Sequence, residues 1–434
     1  DGKLVKVEGD PNHPITHGRL CPRCIALDEV EYHPDRILHP MKRDRADRGK
    51  DKWEVISWDE AYDLIESKVR KYWKEPGPQG ILTFTGTRRE ITMYSAAYCH
   101  AIFMSPNYCM TLSGGACYGP RCTIANFQLG AGYPELDYAA YFPDRYEDPR
   151  WELPKYVLVW GKDPINSSPD GLFGHALVDL MKLGSKLIVV DPRVTWIAAH
   201  AEYHLQLRPG TDTALGLGLA HVIIAENLYN KEFVDKWFYG FDDFAEWVED
   251  WTPERAGEVC WVDPELIRGA ARAFAMNSPS SALWGLAIDQ MTNGQQAGHI
   301  FLAICALCGY LDIPGGLTLA RPSSFTGKWR YETVNSVPDE IRAKRMRDPE
   351  GKYSCWDAAG PGPLPDVTLN CLEQDNAVDE YKMSYWFGTN PLACMAASPK
   401  RWEKALNKLE FNVSQDIFMN PSIMALCDLV LPLT

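Results

Sequence analysis

Tyr156-Val157-Leu158-Val159-Trp160-Gly161-Lys162-Asp163-Pro164-Ile165-Asn166-Ser167, followed by Lys186-Leu187-Ile188-Val189-Val190-Asp191-Pro192-Arg193, is the stretch that decides the fold. Both apolar runs are continuous rather than alternating, which suits strands covered on both faces, as in a parallel sheet. A helix is predicted between them through Phe173 to Leu183, ended by Gly184-Ser185, so the stretch reads as one βαβ unit. A third crossing follows, where Leu207-Arg208-Pro209-Gly210-Thr211-Asp212 opens a helix over 212–227. Working outward, strands are predicted at 81–84 and 281–287, helices at 92–104 and 295–310, and a strand–helix–strand run over 383–417. Ser57-Trp58-Asp59-Glu60 has the form of a capping box, with an apolar stripe Ala61, Leu64, Ile65, Val69 behind it and the Lys68 stem able to extend that stripe. The opening residues around Leu4, Val5 and Val7 read as a strand and turn, and 318–380 as a long surface insertion.

The 434 residues suit two or three packed domains, and 46% hydrophobic with 24% charged residues is an ordinary globular balance. A net charge of −14 argues against a nucleic-acid binder, which needs basic patches. The basic cluster Lys42, Arg43, Arg45, Arg48, Lys50 and Lys52 is broken by acids and glycine and reads as a solvated loop. No apolar run reaches the length of about 20 residues that spans a bilayer. The 13 cysteines are scattered, unlike the framework of a small secreted scaffold, and fit buried thiols plus one or two ligands. Cys305 and Cys308, in an apolar helical pattern, are expected to be core. With no methionine at the start and an apolar strand at the close, the sequence reads as the central part of a longer chain.

Three loops carry the chemistry. Ligands of open α/β sheets bind beyond the carboxyl ends of the strands, where free helix N–H groups meet phosphates. Gly161 allows close backbone approach there, although a plain βα connection can also hold glycine and proline. Asp191 can bind a ribose hydroxyl pair and Arg193 a base or phosphate; the plainer account is a surface ion pair. Asp212 can accept from two donors on a guanine edge, against the plainer role of a helix N-cap. Ser113-Gly114-Gly115-Ala116-Cys117-Tyr118-Gly119-Pro120-Arg121 sets a thiol in a glycine-rich turn before a helix, a place where thiolates form and bind soft metals, though an isolated cysteine there is more often inert. Cys21-Pro22-Arg23-Cys24 resembles half of a zinc or iron–sulfur site, but no further cysteine occurs before Cys99.

Taken in order, these pieces resemble the molybdopterin oxidoreductase family, the dimethyl sulfoxide reductase superfamily. The likeness runs through Asp1-Gly2-Lys3-Leu4-Val5, Gly18-Arg19-Leu20-Cys21, Tyr32-His33-Pro34-Asp35-Arg36-Ile37, Trp53-Glu54-Val55-Ile56-Ser57-Trp58, the three loops, Trp284-Gly285, Gln290, Asn293-Gly294, Asn390-Pro391 and Asp428-Leu429-Val430-Leu431-Pro432. It implies an α/β fold with doubly wound, mostly parallel sheets in two discontinuous domains, plus a small β-rich N-terminal iron–sulfur domain remnant. The implied division is 1–52 for that remnant, 53–112 with 290–434 for one α/β domain, and 113–289 for the dinucleotide-binding domain, with a C-terminal cap domain missing.

The implied cofactors are a bis(molybdopterin guanine dinucleotide) carrying molybdenum or tungsten and a [4Fe–4S] cluster, three of whose four cysteines are expected upstream of residue 1. By this resemblance Cys21 is the last cluster ligand, Arg23 the basic residue between cluster and pterin, and Cys117 the protein ligand to the metal. Gly161, Lys162, Asp163 and Pro164 match the phosphate loop, although Asn is commoner at the Asp163 position. Asp191, Arg193, Gly210 and Asp212 match the ribose and guanine contacts, and Gln290 a pterin-side position. Tyr118 stands where formate dehydrogenases have histidine, and 281–292 lack arginine, which departs from the formate pattern; the segment from Trp53 onward and the spacing to Cys117 resemble acetylene hydratase and catechol dehydroxylase-like members more closely. The resulting expectation is two-electron oxygen-atom or hydroxyl transfer on a small-molecule substrate. A non-redox hydratase on the same cofactor, or a cofactor-free binding or assembly subunit, are the alternatives. Expected partners are an iron–sulfur electron-transfer subunit and a membrane-anchor subunit. The expected compartment is the cytoplasm or, through a twin-arginine signal upstream, outside it.

Overall fold

The computed structural model describes residues 2–13, 16–86, 92–110, 119–130, 134–137, 149–168, 173–319, 333–352, 362–394 and 398–433. The chain forms two compact units, one of residues 1–30 with 117–323 and the other of residues 31–116 with 324–434.

The first unit is built on a four-stranded sheet in the order Tyr203–Leu205, Lys186–Val190, Tyr156–Trp160, Ser281–Trp284, all parallel. The chain starts at Tyr156–Trp160, steps outward twice, and returns to the opposite side, so the strand order reverses between Tyr156–Trp160 and Ser281–Trp284. Pleating sends alternate residues to opposite layers. Leu158, Trp160, Ile188 and Val190 join one core with Leu215, Ile267 and Phe301, while Val157, Val159, Leu187 and Val189 join another with Leu177, Leu180 and Ile197. This is why both strands read as unbroken apolar runs. Helix Asp212–Ala225 is apolar on every side because it lies between helices Pro253–Cys260, Pro264–Met276 and Gly294–Leu307. Cys305 and Cys308 are core residues, as expected.

One expectation changes here. The strand predicted over 281–287 stops at Trp284, and Leu286–Asp289 coils into a helical turn. Helix Gly294–Leu307 packs on helices Gly119–Leu129 and Asp212–Ala225 and sends Ile300, Phe301 and Ile304 into the first unit's core.

The second unit holds a seven-stranded sheet in the order Glu54–Val55, Met41–Lys42, Leu429–Pro432, Phe411–Asp416, Met383–Phe387, Ile81–Thr85, Tyr108–Met110. The last five strands are parallel and the two short ones add antiparallel at one edge. Helix Trp58–Lys74 covers one face, started by Ser57, whose side chain accepts from the Glu60 N–H. Residues 318–380 are only partly a surface insertion. Helix Pro365–Glu373 buries Val367, Leu369 and Leu372 in the core of the other face. No strand forms over residues 2–10, where Val5 is 83% exposed.

The basic cluster is not a solvated loop throughout. Arg43 is buried and donates to the carbonyls of Lys50, Ile423, Met424 and Cys427 at 2.7–3.0 Å, with its guanidinium 4.2 Å from the Trp53 ring. Arg48, its side chain only 5% exposed, donates Nε to Asp428 Oδ1 at 2.8 Å, and Asp428 Oδ2 accepts from Asn412 N–H at 2.7 Å. Lys50 and Lys52 lie exposed and paired with Asp47, as expected. No helix among the described residues is long and apolar enough to cross a membrane.

The predicted helix over 92–104 is instead helix Thr92–Ala97 followed by a π turn, Tyr98–Ile102. That turn carries His100, which is 4% exposed with Nδ1 2.8 Å from Thr333 Oγ1.

Two outcomes follow from these buried groups. Asp428→Leu strands a buried guanidinium and is expected to cost about 3–5 kcal/mol in denaturant unfolding. Burial lowers the His100 pKa to about 4, so the unfolded chain takes up its proton first. That contribution is full above about pH 6.5 and is lost as pH falls toward 4. In His100→Phe, unfolding free energies measured at pH 7 and pH 5 should differ less than in the wild type.

Candidate functional site

The carboxyl edge of the four-stranded sheet gathers the three loops singled out in the sequence. Trp160 pairs with both Val190 and Trp284, so the central strands end level. Gly161 N–H donates to Val190 O at 2.9 Å and Gly285 N–H to Trp160 O at 2.8 Å, which knits the first residues beyond the sheet together. The approach is close enough to exclude a side chain. A Cβ on Gly285 would lie 2.1 Å from Gly161 O, and Gly161 itself has φ +62° with space for a Cβ only 3.0 Å from Ala287.

Asp163 is the N-cap residue of the turn Pro164–Ser167, with Pro164 buried as its first helical residue. The Asp163 carbonyl accepts from the Ser167 amide and hydroxyl, and Oδ2 accepts from Asn166 Nδ2 at 2.8 Å. Its Oδ1 is buried without a hydrogen-bond partner. Buried polar atoms are nearly always satisfied, so this acceptor at the end of a parallel strand stands out. Lys162 lies with Nζ 4.5 Å from the Phe173 ring centre.

Asp191 ends the next strand. Arg193 donates Nε and one terminal nitrogen to its two oxygens at 3.1 and 3.0 Å, and the Arg193 amide adds a third bond at 2.8 Å. The ion pair given by the plainer reading is therefore present, but it is not a simple surface contact, because Asp191 is buried. Hydrogen bonding to Asp191 raises the Arg193 pKa, and the Asp191 charge adds to that. The same guanidinium lies 4.0 Å from Asp163 Oδ2, which joins the first two loops.

At the third loop Gly210 has φ +84°, and Thr211 rather than Asp212 holds the N-cap position, its hydroxyl donating to Arg208 O instead of capping the helix. Asp212 is the first helical residue, 5% exposed, with Oδ1 accepting from the Trp160 indole at 2.8 Å. Burial raises its pKa and the indole N–H opposes the rise. Trp160 thus links the first loop to the third.

The remaining residues stand apart or outside the description. Gln290 is exposed just after Leu286–Asp289. Cys21 is buried at the start of the turn Pro22–Ile25, its Sγ 3.5 Å from that of Cys24, and Arg23 on that turn is exposed. The Cys24 backbone N–H is the first cause of a lowered Cys21 pKa, against burial. Arg19 donates to Asp179 at 2.8 Å and so fastens this segment to helix Phe173–Leu183. Cys117 lies outside the described residues. Among those described there is no cluster of three or more His, Cys, Asp or Glu side chains that could hold a metal.

Sequence reasoning missed three participants. Arg121 and Asp289 form a buried ion pair at 2.6 Å, Asp289 Oδ1 also takes the Arg121 amide, and Arg121 donates to Trp284 O at 2.9 Å. Helix Gly119–Leu129, which begins two residues after Cys117, is thereby pinned to the turn beyond Gly285. Asn293 donates to Thr213 Oγ1 at 3.1 Å and leaves its own Oδ1 buried and unpaired. Arg121 and Asn293 stand inside stretches quoted from the sequence, but nothing local pairs Arg121 with Asp289 or Asn293 with Thr213.

A molybdopterin oxidoreductase family model matches residues 36–434, and a molybdopterin oxidoreductase Fe4S4 domain model matches residues 1–33. The chain belongs to the molybdopterin oxidoreductase family, whose two models name a molybdopterin cofactor and a 4Fe–4S cluster. It is 33% identical over 329 residues to acetylene hydratase of Syntrophotalea acetylenica, across 75% of this chain and 42% of that protein. It is 28% identical to formate dehydrogenase H of Escherichia coli (strain K12), across 100% of this chain and 59% of that one. The structure of acetylene hydratase from Pelobacter acetylenicus superposes with a TM-score of 0.80 at 27% identity, over 97% of this chain and 58% of the other. The chain thus spans about half the length of the relatives it matches.

Gly285→Ala tests the close approach at the sheet edge. Backbone must move to admit the methyl, with an expected loss of about 1–3 kcal/mol in thermal unfolding and less bound pterin per chain.

Proposed function

We propose that this chain is the dinucleotide-holding and metal-facing part of a molybdenum or tungsten bis-pterin enzyme that carries out two-electron oxygen-atom or hydroxyl transfer on a small substrate. One observation supports this above the others: the buried, unpaired Asp163 Oδ1 lies in the loop that Arg193 joins to Asp191, at the point where the strand order reverses. Doubly wound folds bind dinucleotides at such a point.

Each group has a part. The Gly161 backbone admits phosphate oxygens closely, and Lys162 supplies positive charge near them. Asp163 accepts from a ligand donor through Oδ1. Asp191 receives ribose hydroxyls while Arg193 turns toward phosphate, Gly210 shapes the loop before Asp212, and Asp212 accepts from the guanine edge. Gln290 lies on the pterin side. The thiolate of Cys117 would be the protein ligand to the metal. Cys21 would be one ligand of a [4Fe–4S] cluster completed by cysteines outside this sequence, with Arg23 providing charge between cluster and pterin. The bound group would supply two-electron redox chemistry at its metal, and the protein orients substrate and tunes that centre. An iron–sulfur electron-transfer subunit, with a membrane-anchor subunit, would complete the electron path.

The likeness to acetylene hydratase supports a second reading, a non-redox hydratase using the same groups. The two separate on electron balance: turnover of the full-length holoenzyme that needs no net donor or acceptor favours the hydratase. Absence of molybdenum, tungsten and oxidised-pterin fluorescence from the full-length protein would overturn both and leave a cofactor-free binding subunit. Cys117→Ser should keep the pterin while lowering turnover about 10–100-fold or more. Full activity in that variant would remove Cys117 from the proposal.

A further inference from the structure

The indole of Trp160 makes a contact that packing alone does not require. Trp160 is completely buried as the last residue of the strand Tyr156–Trp160, and its ring meets Phe301 edge-to-face at 6.1 Å. That contact fixes the direction of the indole N–H, which reaches across to Asp212 Oδ1 at 2.8 Å. Asp212 stands in the first turn of a 14-residue helix, where the helix dipole favours a negative charge. Burial works the other way and raises the Asp212 pKa, and the indole hydrogen bond offsets part of that rise. An aspartate on a first turn otherwise has free rotamers. Here the indole holds Oδ1 of the carboxylate at 2.8 Å, which restricts how it can turn.

Resting on the reading of this edge as a purine-dinucleotide site, we propose that Trp160 is a positioning residue for base recognition, holding the Asp212 carboxylate toward a base that offers two adjacent N–H donors. Guanine has such an edge, with a ring N–H beside an amino group. Adenine sets a ring lone pair beside its amino group, and that lone pair would face the carboxylate. A site whose buried acceptor is left facing another acceptor rejects the ligand strongly, so fixing the carboxylate turns affinity into selectivity.

The experiment uses the full-length protein prepared without cofactor, with GDP and ADP as probes in equilibrium titrations. The wild type should prefer GDP by about tenfold or more, Asp212→Asn should abolish the preference, and Trp160→Phe should reduce it to about two- to threefold while both nucleotides still bind. An undiminished GDP preference in Trp160→Phe overturns the role of Trp160 and leaves the dinucleotide site standing. A wild type that takes ADP as readily as GDP overturns the dinucleotide reading itself, and this inference with it. If Trp160→Phe does not fold, β-(3-benzothienyl)alanine at position 160 replaces the indole N–H by sulfur in nearly the same outline, and the same two outcomes apply. A purely packing role for Trp160 would leave the GDP-to-ADP ratio unchanged in that variant.

Discussion

The meeting of Gly161 and Gly285 is the constraint on which the rest of the first unit depends. Strands Tyr156–Trp160 and Ser281–Trp284 are neighbours in one parallel sheet, yet they belong to opposite windings of the chain. They can run side by side to their last residues only if the chain leaves the sheet at the same level on both. The gap between Gly285 and the Gly161 carbonyl has no room for a methyl group. With that contact made, Asp163, Asp191 and Asp212 come to one edge, and the turn carrying Asp289 is set where it can take hold of Arg121.

Much of this was legible in the sequence for one reason. A strand covered on both faces needs apolar residues at every position, and Tyr156–Trp160 and Lys186–Val190 supply them almost without interruption. Once the strands are known, the loops beyond them are known too, because a parallel sheet puts the ends of successive strands on one edge. What could not be read depends on partners far apart in the chain. Arg121 meets Asp289 across 168 positions and Arg48 meets Asp428 across 380. No local pattern separates a buried arginine of this kind from a solvated one, so in the sequence Arg43 and Arg48 look the same as Lys50 and Lys52. The strand expected over 281–287 overruns Trp284 because Leu286 and Ala287 continue the apolar run. That Thr211 rather than Asp212 holds the N-cap position of helix Asp212–Ala225 lies within the one-residue uncertainty of any helix start.

The edge is acidic, which is unexpected for a site read as holding phosphates, and the structure shows how that charge is managed. Asp191 is neutralised by Arg193, Asp212 shares an indole hydrogen bond, and Asp163 is tied to Asn166 through one oxygen only. The carboxylates therefore suit hydroxyl and N–H donors, while backbone N–H groups at the loop ends suit anions. Division of labour of this kind lets one short edge meet the sugar, base and phosphate of a nucleotide without placing like charges together.

Arg43 bears on the order in which the second unit can assemble. Its guanidinium closes on carbonyls between residues 423 and 427, and the strand just before it in the sheet order, Glu54–Val55, joins through Met41–Lys42 to Leu429–Pro432. During synthesis the early strands of this sheet emerge long before their central neighbours Met383–Phe387 and Phe411–Asp416. At about 5–20 residues per second the wait is on the order of tens of seconds. Ile81–Thr85 and Tyr108–Met110 then have only each other to pair with, and a two-stranded arrangement is marginal by itself. The first unit's sheet, by contrast, has all four of its strands once residue 284 has been made.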